Sequence, residues 1–311
     1  MKRYARGNTE FAFQTPAAHA GTPIFRAVTP LTRALHRHVP DAPRVDLFYA
    51  PLAHTVEQQL ARATTRPLVV GIQGPQGSGK STLATALTQA FVDVGARSVS
   101  VSIDDFYLPH AEQRALAARW AGNRYLEHRG GPGTHEVEFG TRVLGELCAL
   151  GPGMSTRILL YDKSAQGGRG DRAPENQWRR AEGPLDLVIF EGWMLGFSPL
   201  TDEELASTHD AALPVVNDLL RPYAAWTRAL DAFVHLDVEK LETIVGWRVD
   251  AERHRRERGE QALSDDDARD YIERFLPIYE AYVPRLHARP PCDVFEHIVL
   301  GADRMPIATF V

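Results

Sequence analysis

The sequence predicts a doubly wound α/β fold, in which a mainly parallel sheet lies between two layers of helices. Three observations predict it. Short apolar runs alternate with helical segments along most of the chain. Several of these runs are continuously apolar, which is typical of strands buried on both faces of a parallel sheet. A glycine-rich segment joins the first run to the first long helical segment. Alternation of this kind is typical of three-layer α/β/α domains.

Six apolar runs are the predicted strands: 67–73 (PLVVGIQ), 98–104 (SVSVSID), 156–162 (TRILLYD), 185–191 (LDLVIFE), 232–238 (AFVHLDV) and 293–301 (DVFEHIVLG). The main predicted helices between and after them are 80–94, 136–149, 214–230, 239–258 and 264–283. The last helix begins with SDDD, whose serine is a favourable N-cap and whose acids suit the positive end of the helix dipole.

We divide the chain into an N-terminal extension, residues 1–50, and an α/β domain, residues 51–311. The extension is rich in Pro, Ala and Thr, and helix is expected in its LTRALHRH segment. A further helix is expected in PLAHTVEQQLARA, where Leu52, Val56 and Leu60 are four residues apart. The glycine- and charge-rich loop 162–184 is expected to act as a lid.

Composition restricts the class of partner. The chain has 311 residues, 44% of them hydrophobic and 24% charged, as in ordinary globular proteins. A net charge of -5 argues against nucleic acid or an anionic membrane as the main partner. We see no signal-peptide core and no run of about 18 apolar residues. The two cysteines fit no metal or redox spacing, which predicts reduced thiols and a cytoplasmic location. Oligomeric state is left open.

The segment GPQGSGKS matches G-x-x-x-x-G-K-[ST] and lies between a predicted strand and a predicted helix. Its backbone N–H groups and the helix N-terminus would face phosphates. Lys80 would contact the β- and γ-phosphates and Ser81 would bind Mg²⁺. The alternative is a glycine-rich turn that only caps a helix. The sequence therefore predicts ATP and Mg²⁺ as ligands, with nucleotide contacts from Gly74, Gly77, Ser78, Gly79, Lys80, Ser81 and Thr82.

Acidic residues end three of the predicted strands, at Asp104, Asp162 and Glu191. Ligands of doubly wound sheets bind beyond the carboxyl ends of the strands, so these acids are expected to converge. Because consecutive strand residues point to opposite faces, Asp104 and Asp105 are expected to have different roles. Glu191 is where P-loop proteins direct a carboxylate towards Mg²⁺. Turn formation, or exposure at a strand end, is the alternative for each acid.

Together with the P-loop, the segment SIDDFY resembles the uridine kinase, phosphoribulokinase and pantothenate kinase superfamily. The resemblance implies that Asp104 accepts the proton of the substrate hydroxyl. Asp105 would be a carboxylate that supports Asp104 or one that faces the metal, and among the site residues we assign it and Tyr107 to the substrate side. An attacking hydroxyl must be oriented in line with the γ-phosphate and must lose its proton, so a carboxylate here is chemically reasonable.

Two turn-rich segments carry further candidates. YDKSAQGGRGDRAPE contains Lys163, Arg169 and Arg172, and a loop with these cations could close over developing phosphate charge. Lys163 is notable because the chain has few lysines, namely Lys2, Lys80, Lys163 and Lys240. An ordinary solvated loop is the alternative.

HRGGPGTHEVE lies before a predicted helix and contains Arg129, His135 and Glu136. The histidine and the glutamate could contact substrate hydroxyls, and the arginine could contact an anionic group. A histidine at a helix start is otherwise a cap or a surface residue.

The segments DDFYL, RGGPGTHE, YDKSAQGGRGDR, FEGWMLGF and LSDDDARDYIERFLPIYEAY together resemble the plant- and yeast-type glycerate kinase family, from about residue 50 to the C-terminus. The resemblance implies transfer of the ATP γ-phosphate to the 3-hydroxyl of D-glycerate, giving 3-phosphoglycerate, with Mg²⁺. One departure is Glu136, where the family pattern has Asp after the His of GTH. The resemblance implies Lys80 and Ser81 for the nucleotide and the metal, Asp104 as the base and Glu191 at the metal. The other roles are inferred from charge and position: Arg169 and Arg172, with Asp104 and Lys80, for catalysis, and Asp105, Tyr107, Arg129, His135, Glu136 and Lys163 for the substrate.

Three other interpretations stay open at this stage. The first is a P-loop kinase for another hydroxylated acceptor, such as a uridine-, pantothenate- or sugar-like compound. The second is a nucleotide-hydrolysing switch, although the sequence has no N-K-x-D segment and Glu191 is followed by Gly and Trp instead of a second acid. The third is a binding protein that keeps the fold without turnover.

Overall fold

The chain folds around a central six-stranded sheet, in a computed structural model that describes residues 29–259 and 262–310. The strands of this part of the chain are β1 (Leu68–Gln73), β2 (Ser98–Ser102), β3 (Ser155–Ile158), β4 (Tyr161–Asp162), β5 (Asp171–Arg172), β6 (Arg179–Glu182), β7 (Leu187–Gly192), β8 (Ala232–Val238), β9 (Phe295–Leu300) and β10 (Pro306–Phe310). The order in the central sheet is β10-β9-β8-β1-β7-β2. All pairs in it are parallel except β9 with β10.

The twelve helices that we number in the same residues are α1 (Pro30–His38), α2 (Ala42–Arg44), α3 (Ala50–Arg62), α4 (Lys80–Asp93), α5 (His110–Arg119), α6 (Val137–Ala149), α7 (Asp202–Ser207), α8 (Leu213–Leu220), α9 (Ala224–Thr227), α10 (Glu242–Glu257), α11 (Asp265–Glu273) and α12 (Leu276–Ala288). A π-helical turn, Val45–Tyr49, joins α2 to α3.

The sheet is buried on both faces, which confirms the predicted three-layer α/β/α fold. Every residue of β1 and of β7 is buried. Alternate side chains of a strand point to opposite faces. Val188 and Phe190 accordingly belong to one core, with residues of α6, α8, α9 and α12. Leu187 and Ile189 belong to the other core, with residues of α1, α3 and α4.

The predicted strand 156–162 is wrong as a member of the central sheet. Its residues form β3 and β4, which pair antiparallel with β6 and β5 in two small separate sheets. The run carries Arg157 as its second residue, and that side chain is exposed. A strand buried on both faces cannot accommodate such a charge without a buried partner. Asp162 therefore lies on the loop and not at the carboxyl edge of the sheet.

Two long predicted helices are each divided. The predicted helix 214–230 is α8 and α9 joined by a 3-10 turn that contains Pro222. The predicted helix 264–283 ends at Glu273 and restarts as α12, with Pro277 in the first turn of the new helix. Proline lacks the N–H needed in a helix interior, which favours a break at both places, although α12 continues through Pro284. The helices α5 and α7 and the strand β10 were not predicted.

Residues 30–50, part of the predicted extension, contribute to the hydrophobic core that contains α4 and β1. Leu35 of α1 and Phe48 of the π-helical turn share a core with Leu83 and Leu87 of α4. Residues 1–28 of the extension lie outside the described part of the chain. Among the described residues, no helix is both long and apolar enough to cross a membrane.

Candidate active site

The glycine-rich loop between β1 and α4 has the backbone conformation that an anion-binding loop requires. Gly77 and Gly79 have φ angles of 85° and 88°, in the left-handed region that favours glycine. A Cβ on Gly77 would also lie 2.7 Å from Cβ of Trp247. Gly79 is the N-cap of α4, and no described side chain caps that helix. The first N–H groups of α4 are therefore available to a phosphate.

The other predicted loop residues differ in burial. Ser78 is 2% exposed, and its Oγ has no hydrogen-bond partner among the described residues. A Cβ on Gly74 would lie 2.9 Å from Cβ of Leu236, so this glycine permits close approach of the loop to β8. Lys80 begins α4, and Thr82 is exposed on its first turn.

A hydroxyl and a carboxylate meet at the start of α4. Ser81 Oγ donates a hydrogen bond of 2.8 Å to Oε1 of Glu191 at the end of β7. Glu191 is 5% exposed, and its Oε2 has no hydrogen-bond partner within the described residues. The unpaired carboxylate oxygen and the neighbouring hydroxyl are the kind of oxygen ligands that Mg²⁺ prefers. The pair thus fits a magnesium site.

Asp104 lies just beyond the carboxyl end of β2, in a short 3-10 helix, Ile103–Phe106. Its Oδ2 is 2.6 Å from Nζ of Lys163. Burial by itself would raise the pKa of this carboxyl, but the positive charges of Lys163 and Lys80 outweigh it and hold the pKa well below the usual range. Asp104 is therefore an anion at neutral pH and is close to the P-loop lysine.

Asp105 has a different environment from Asp104, as expected, but not for the predicted reason: both residues lie in the 3-10 helix after β2, where strand alternation does not apply. Its Oδ2 accepts a hydrogen bond from N of Ser102 and another from Nη2 of Arg179, at 3.1 and 3.3 Å. Burial raises the pKa of Asp105 to about 6, although Arg179 opposes this shift. The carboxylate thus caps the 3-10 helix and does not pair with Lys163.

Arg129 holds the lid loop through backbone carbonyls. Its guanidinium donates to the carbonyl oxygens of Lys163, Gly168 and Arg169; the distance to Gly168 O is 2.9 Å and that to Lys163 O is 3.3 Å. It also lies 5.7 Å from the ring centre of Tyr161. In this structure Arg129 therefore positions the loop that presents Lys163 to Asp104. The sequence instead predicts an anionic group as the partner of Arg129, and it does not predict this contact.

His135 and Tyr107 form a buried aromatic layer beside Asp104. Their rings stack with centroids 4.4 Å apart. Burial lowers the pKa of His135 to about 3, against the opposing effect of Asp104, so the ring is neutral at pH 7. His135 Nδ1 is 2.8 Å from the Tyr223 hydroxyl, whereas its Nε2 is buried without a hydrogen-bond partner among the described residues. Burial, reinforced by the Asp104 charge, raises the pKa of Tyr107 well above its usual value.

The remaining lid cations occupy different environments. Arg172 forms an ion pair with Glu136, the N-cap of α6, and its Nε is buried without a partner in the described part of the chain. Arg169 is exposed at the end of a 3-10 turn in the loop. The structure therefore brings Arg172 and Glu136 together and leaves Arg169 facing solvent.

Three residues that sequence reasoning missed support this edge of the sheet. Arg304 Nε donates to the carbonyl of Gly77 at 2.6 Å and lies 5.3 Å from the ring centre of Trp247. Tyr279 donates to Gln76 at 2.5 Å, and Tyr223 supports His135. Tyr279 lies in the segment LSDDDARDYIERFLPIYEAY, which carries part of the family resemblance, but that segment does not indicate its partner. The contacts themselves join distant parts of the chain, so the sequence does not predict them.

The fold and the site define a P-loop kinase: a phosphate-binding loop, an adjacent oxygen pair for a metal, and an anionic aspartate beside two lysines. The chain is 37% identical over 275 residues to the chloroplastic D-glycerate 3-kinase of Arabidopsis thaliana, covering 85% of this chain and 60% of that protein. It is also 37% identical to an uncharacterized kinase of Schizosaccharomyces pombe, covering 78% of this chain and 91% of the relative. The chain belongs to the plant- and yeast-type glycerate kinase family.

A solved structure agrees with this assignment. The D-glycerate 3-kinase of Cryptococcus neoformans var. grubii matches with a TM-score of 0.77 and 29% identity, covering 84% of this chain and 98% of that one. The chain spans 60% of the length of the plant relative. No protein-family model matches the chain.

Proposed function

We propose that this protein transfers the γ-phosphate of ATP to the 3-hydroxyl of D-glycerate, giving 3-phosphoglycerate and ADP. Two of its relatives carry the name D-glycerate 3-kinase. The observation that carries the proposal is the anionic Asp104 carboxylate, which lies 2.6 Å from Lys163 and close enough to the P-loop Lys80 for that charge to lower its pKa.

The P-loop is the proposed binding site for the nucleotide. The N–H groups at the start of α4 and the Lys80 ammonium bind the β- and γ-phosphates of ATP, because both direct positive charge at the same anion. Ser78, buried and without a partner in the described residues, offers its hydroxyl to a phosphate oxygen. The proposed nucleotide-binding residues are Gly74, Gly77, Ser78, Gly79, Lys80, Ser81 and Thr82.

Ser81 and Glu191 would hold Mg²⁺, since their oxygens are in contact and Glu191 Oε2 has no hydrogen-bond partner among the described residues. When bound, the ion neutralises phosphate charge that develops during transfer. Both residues lie on rigid elements, the first turn of α4 and the last residues of β7, which suits a fixed ligand pair.

Asp104 is the proposed base. The glycerate hydroxyl oxygen attacks the γ-phosphorus, the bond from that phosphorus to the bridging oxygen of ADP breaks, and the hydroxyl proton passes to Asp104. A carboxylate with a low pKa can serve because a loose transition state requires proton loss late in the reaction. Orientation of the hydroxyl is then the main contribution of Asp104.

The lid loop 162–184 supplies positive charge on the other side of the transferred group. Lys163 contacts the Asp104 carboxylate, and Arg169 is exposed on the same loop. We propose that both, with Arg172, face the transferred phosphate or the glycerate carboxylate when substrate is bound. Cations that meet charge only as it develops lower the activation barrier.

The acceptor side is formed by His135, Tyr107 and Glu136. The unpartnered Nε2 of His135 is suited to a substrate hydroxyl, and the Glu136–Arg172 pair sets the position of one lid cation. Arg129 acts on the substrate through the lid loop that it holds. Asp105 fixes the turn that carries Asp104.

Two further predictions, on domain organisation and cellular location, accompany this proposal. We propose a kinase domain of residues 51–311, with residues 1–50 as a partly helical N-terminal extension. We propose a cytoplasmic location for this protein, although the name of the plant relative specifies the chloroplast.

The deciding experiment is ADP release from Mg-ATP with a panel of acceptors: D-glycerate, L-glycerate, uridine, pantothenate, ribulose 5-phosphate and none. Stimulation by D-glycerate alone supports the proposal. Clear turnover of another acceptor overturns the substrate but keeps the kinase, and Glu136 is then the first residue to examine. ATP hydrolysis that is equal with and without an acceptor favours a nucleotide-hydrolysing switch.

A further inference from the structure

Three histidines and an aspartate meet on the far side of β1 from Glu191. His235 and Asp237 are two residues apart on β8 and so lie on one face of that strand. His297 of β9 pairs in register with His235, and His287 comes from the last turn of α12. One ligand atom from each of the four residues lies within 4.8 Å of all the others.

The hydrogen bonding of His235 determines its tautomer. Gln73 Nε2 donates to the carbonyl of Trp193 at 2.6 Å, so the Gln73 Oε1 is the atom that contacts Nδ1 of His235. A carbonyl oxygen only accepts, and therefore Nδ1 carries the proton. Nε2 of His235 is left with a lone pair. This residue is 1% exposed, and its Nε2 has no hydrogen-bond partner in the described part of the chain.

This lone pair faces a carboxylate oxygen. Asp237 Oδ2 is 3.7 Å from Nε2 of His235, 3.4 Å from Nε2 of His287 and 2.9 Å from Nε2 of His297. Its other oxygen, Oδ1, accepts from N of Val238 at 2.7 Å. A lone pair directed at an anionic oxygen is unfavourable unless a cation lies between them.

We propose that these four residues bind a divalent transition metal ion of the zinc type, through Nε2 of His235, His287 and His297 and Oδ2 of Asp237. Zinc bonds of about 2.0 to 2.1 Å place tetrahedral ligand atoms about 3.3 Å apart. The three separations from Asp237 Oδ2 span this value, so binding requires only small shifts. Imidazole-rich sets favour Zn²⁺ and similar ions, whereas Mg²⁺ and Ca²⁺ favour oxygen.

The surroundings match those of known kinds of metal site. A ligating histidine usually donates its second ring N–H to a carboxylate or a carbonyl, which fixes the ring, and Gln73 does this for His235. The side chains of His287, Asp237 and His297 are 32%, 19% and 16% exposed, which leaves a route for the ion from solvent.

The ion would connect the C-terminal helix α12 to the sheet directly beside the phosphate-binding loop. Gln73 is the residue before Gly74 of that loop, and Trp193 follows β7, which carries Glu191. The role that we infer is structural: the metal braces the strand from which the P-loop begins. It is separate from the Ser81–Glu191 pair proposed for Mg²⁺.

The test uses the untagged full chain, freed of metal by a chelator and then titrated with Zn²⁺ in excess Mg²⁺ and ADP. Three single variants accompany it: His287→Gln, His297→Gln and the control His36→Gln. His36 also contacts an aspartate, Asp46, at 2.9 Å, but it lies on α1 away from the cluster. We expect one Zn²⁺ per chain, a higher melting temperature with Zn²⁺, and binding at least tenfold weaker in the two cluster variants only.

Zn²⁺ binding that is absent, or that is equal in the wild type and both cluster variants, overturns the proposal. Co²⁺ gives a second measurement on the wild-type chain, which does not depend on the folding of any variant. Strong visible absorption bands of four-coordinate Co²⁺ support the site. The weak spectrum of hydrated Co²⁺ means that the histidines only form hydrogen bonds around Asp237, and this result also overturns the proposal.

Discussion

Lys163 Nζ lies 2.6 Å from Asp104 Oδ2, and the contact joins the lid loop to the end of β2 across 59 positions of sequence. The ion pair keeps Asp104 charged, and it also occupies one of the two carboxylate oxygens. A substrate hydroxyl must therefore share this oxygen with Lys163 or bind the other one. The position of the lid loop and the charge of the Asp104 carboxylate are thus coupled through one contact. This coupling leads to the first two predictions.

Replacement of Asp104 tests the base directly. We expect Asp104→Asn to lower kcat by about 10²- to 10⁴-fold, the usual contribution of a general base, with little change in ATP binding. The measurements are steady-state turnover and nucleotide binding by calorimetry. Asp162→Asn is a suitable control, because Asp162 is an exposed acid on the lid loop whose carboxylate accepts hydrogen bonds within its own turn, from Ser164 and from the backbone of Ala165. Turnover of Asp104→Asn within tenfold of the wild type contradicts the assignment.

Replacement of Lys163 tests the electrostatic coupling. Burial raises the pKa of Asp104 and the two lysines lower it, so loss of one lysine must move that pKa upward. In Lys163→Met we expect the acid limb of kcat/KM to appear at higher pH than in the wild type, because Asp104 must be ionised to act. Lys240→Met is the control, because Lys240 is an exposed lysine that does not lie on the lid loop. An unchanged acid limb means that Lys163 does not control Asp104.

The parts of the site that sequence predicts best are those whose signal is local. The P-loop glycines, Lys80 and Ser81 lie within eight consecutive residues, 74–81. The conformation of this loop depends on the positive φ angles of Gly77 and Gly79. Glu191 and Asp104 follow strands that are apolar enough to recognise. The structure brings Lys80, Ser81, Asp104 and Glu191 near one edge of the sheet. Their individual roles stay predictions.

The parts that sequence could not predict depend on contacts between distant residues. Asp162 ends an apolar run just as Asp104 does, yet the run forms two small sheets because Arg157 prevents its burial. The pairing of Arg129 with loop carbonyls uses no charged partner, so no charge pattern reveals it. The cluster around Asp237 gathers histidines from β8, α12 and β9, whose spacing matches no metal motif.

Asp105 should make the free energy of unfolding fall as the pH rises. A salt-bridged acid, whose pKa is lowered, has the opposite effect. Its pKa is about 6 in the folded chain against 3.8 in the reference state, so the folded state binds the proton more tightly. Below pH 4 this group contributes nothing, and between pH 4 and 6 its ionisation costs up to about 3 kcal/mol of stability. We expect the free energy of unfolding of the wild type, relative to Asp105→Asn, to fall by up to that amount from pH 4 to 7.

Urea unfolding at several pH values between 4 and 7 measures this difference. Asp162→Asn is again the control, because hydrogen bonds from Ser164 lower the pKa of Asp162, a shift in the direction opposite to that of Asp105. The free energy of unfolding of the wild type relative to Asp162→Asn should therefore not fall as the pH rises. A difference for Asp105→Asn that does not fall either contradicts the raised pKa.

Arg129 should act on the lid loop and not as a direct ligand of the nucleotide. Arg129→Lys removes the planar group that reaches the carbonyls of Lys163, Gly168 and Arg169. We expect amide hydrogen exchange across residues 163–170 to accelerate by about tenfold or more, with lower kcat and an unchanged KM for ATP. Arg124→Lys, which alters an ion pair with Asp210, is the matched control. Unchanged exchange in the loop contradicts this role.

Tyr223 should influence acceptor binding through His135. The Tyr223 hydroxyl accepts from N of Gly133 at 2.9 Å, which leaves its own proton for Nδ1 of His135 at 2.8 Å. His135 then carries its proton on Nε2, the buried atom without a partner in the described residues, and can donate it to a substrate oxygen. In Tyr223→Phe the ring is free to change tautomer or rotate. We expect the KM for the acceptor to rise about two- to tenfold, the value of one hydrogen bond, while the KM for ATP stays constant.

Tyr282→Phe is the matched control for this last change, because it removes a buried hydroxyl 3.0 Å from Oδ1 of Asn217. Both variants should lose some stability, but only Tyr223→Phe should change the acceptor KM. The double variant Tyr223→Phe, His135→Gln separates the two explanations that remain. If Tyr223 acts through the imidazole, the double variant has the same acceptor KM as His135→Gln alone. If the two effects multiply, Tyr223 contacts the substrate independently and the assigned tautomer of His135 is wrong.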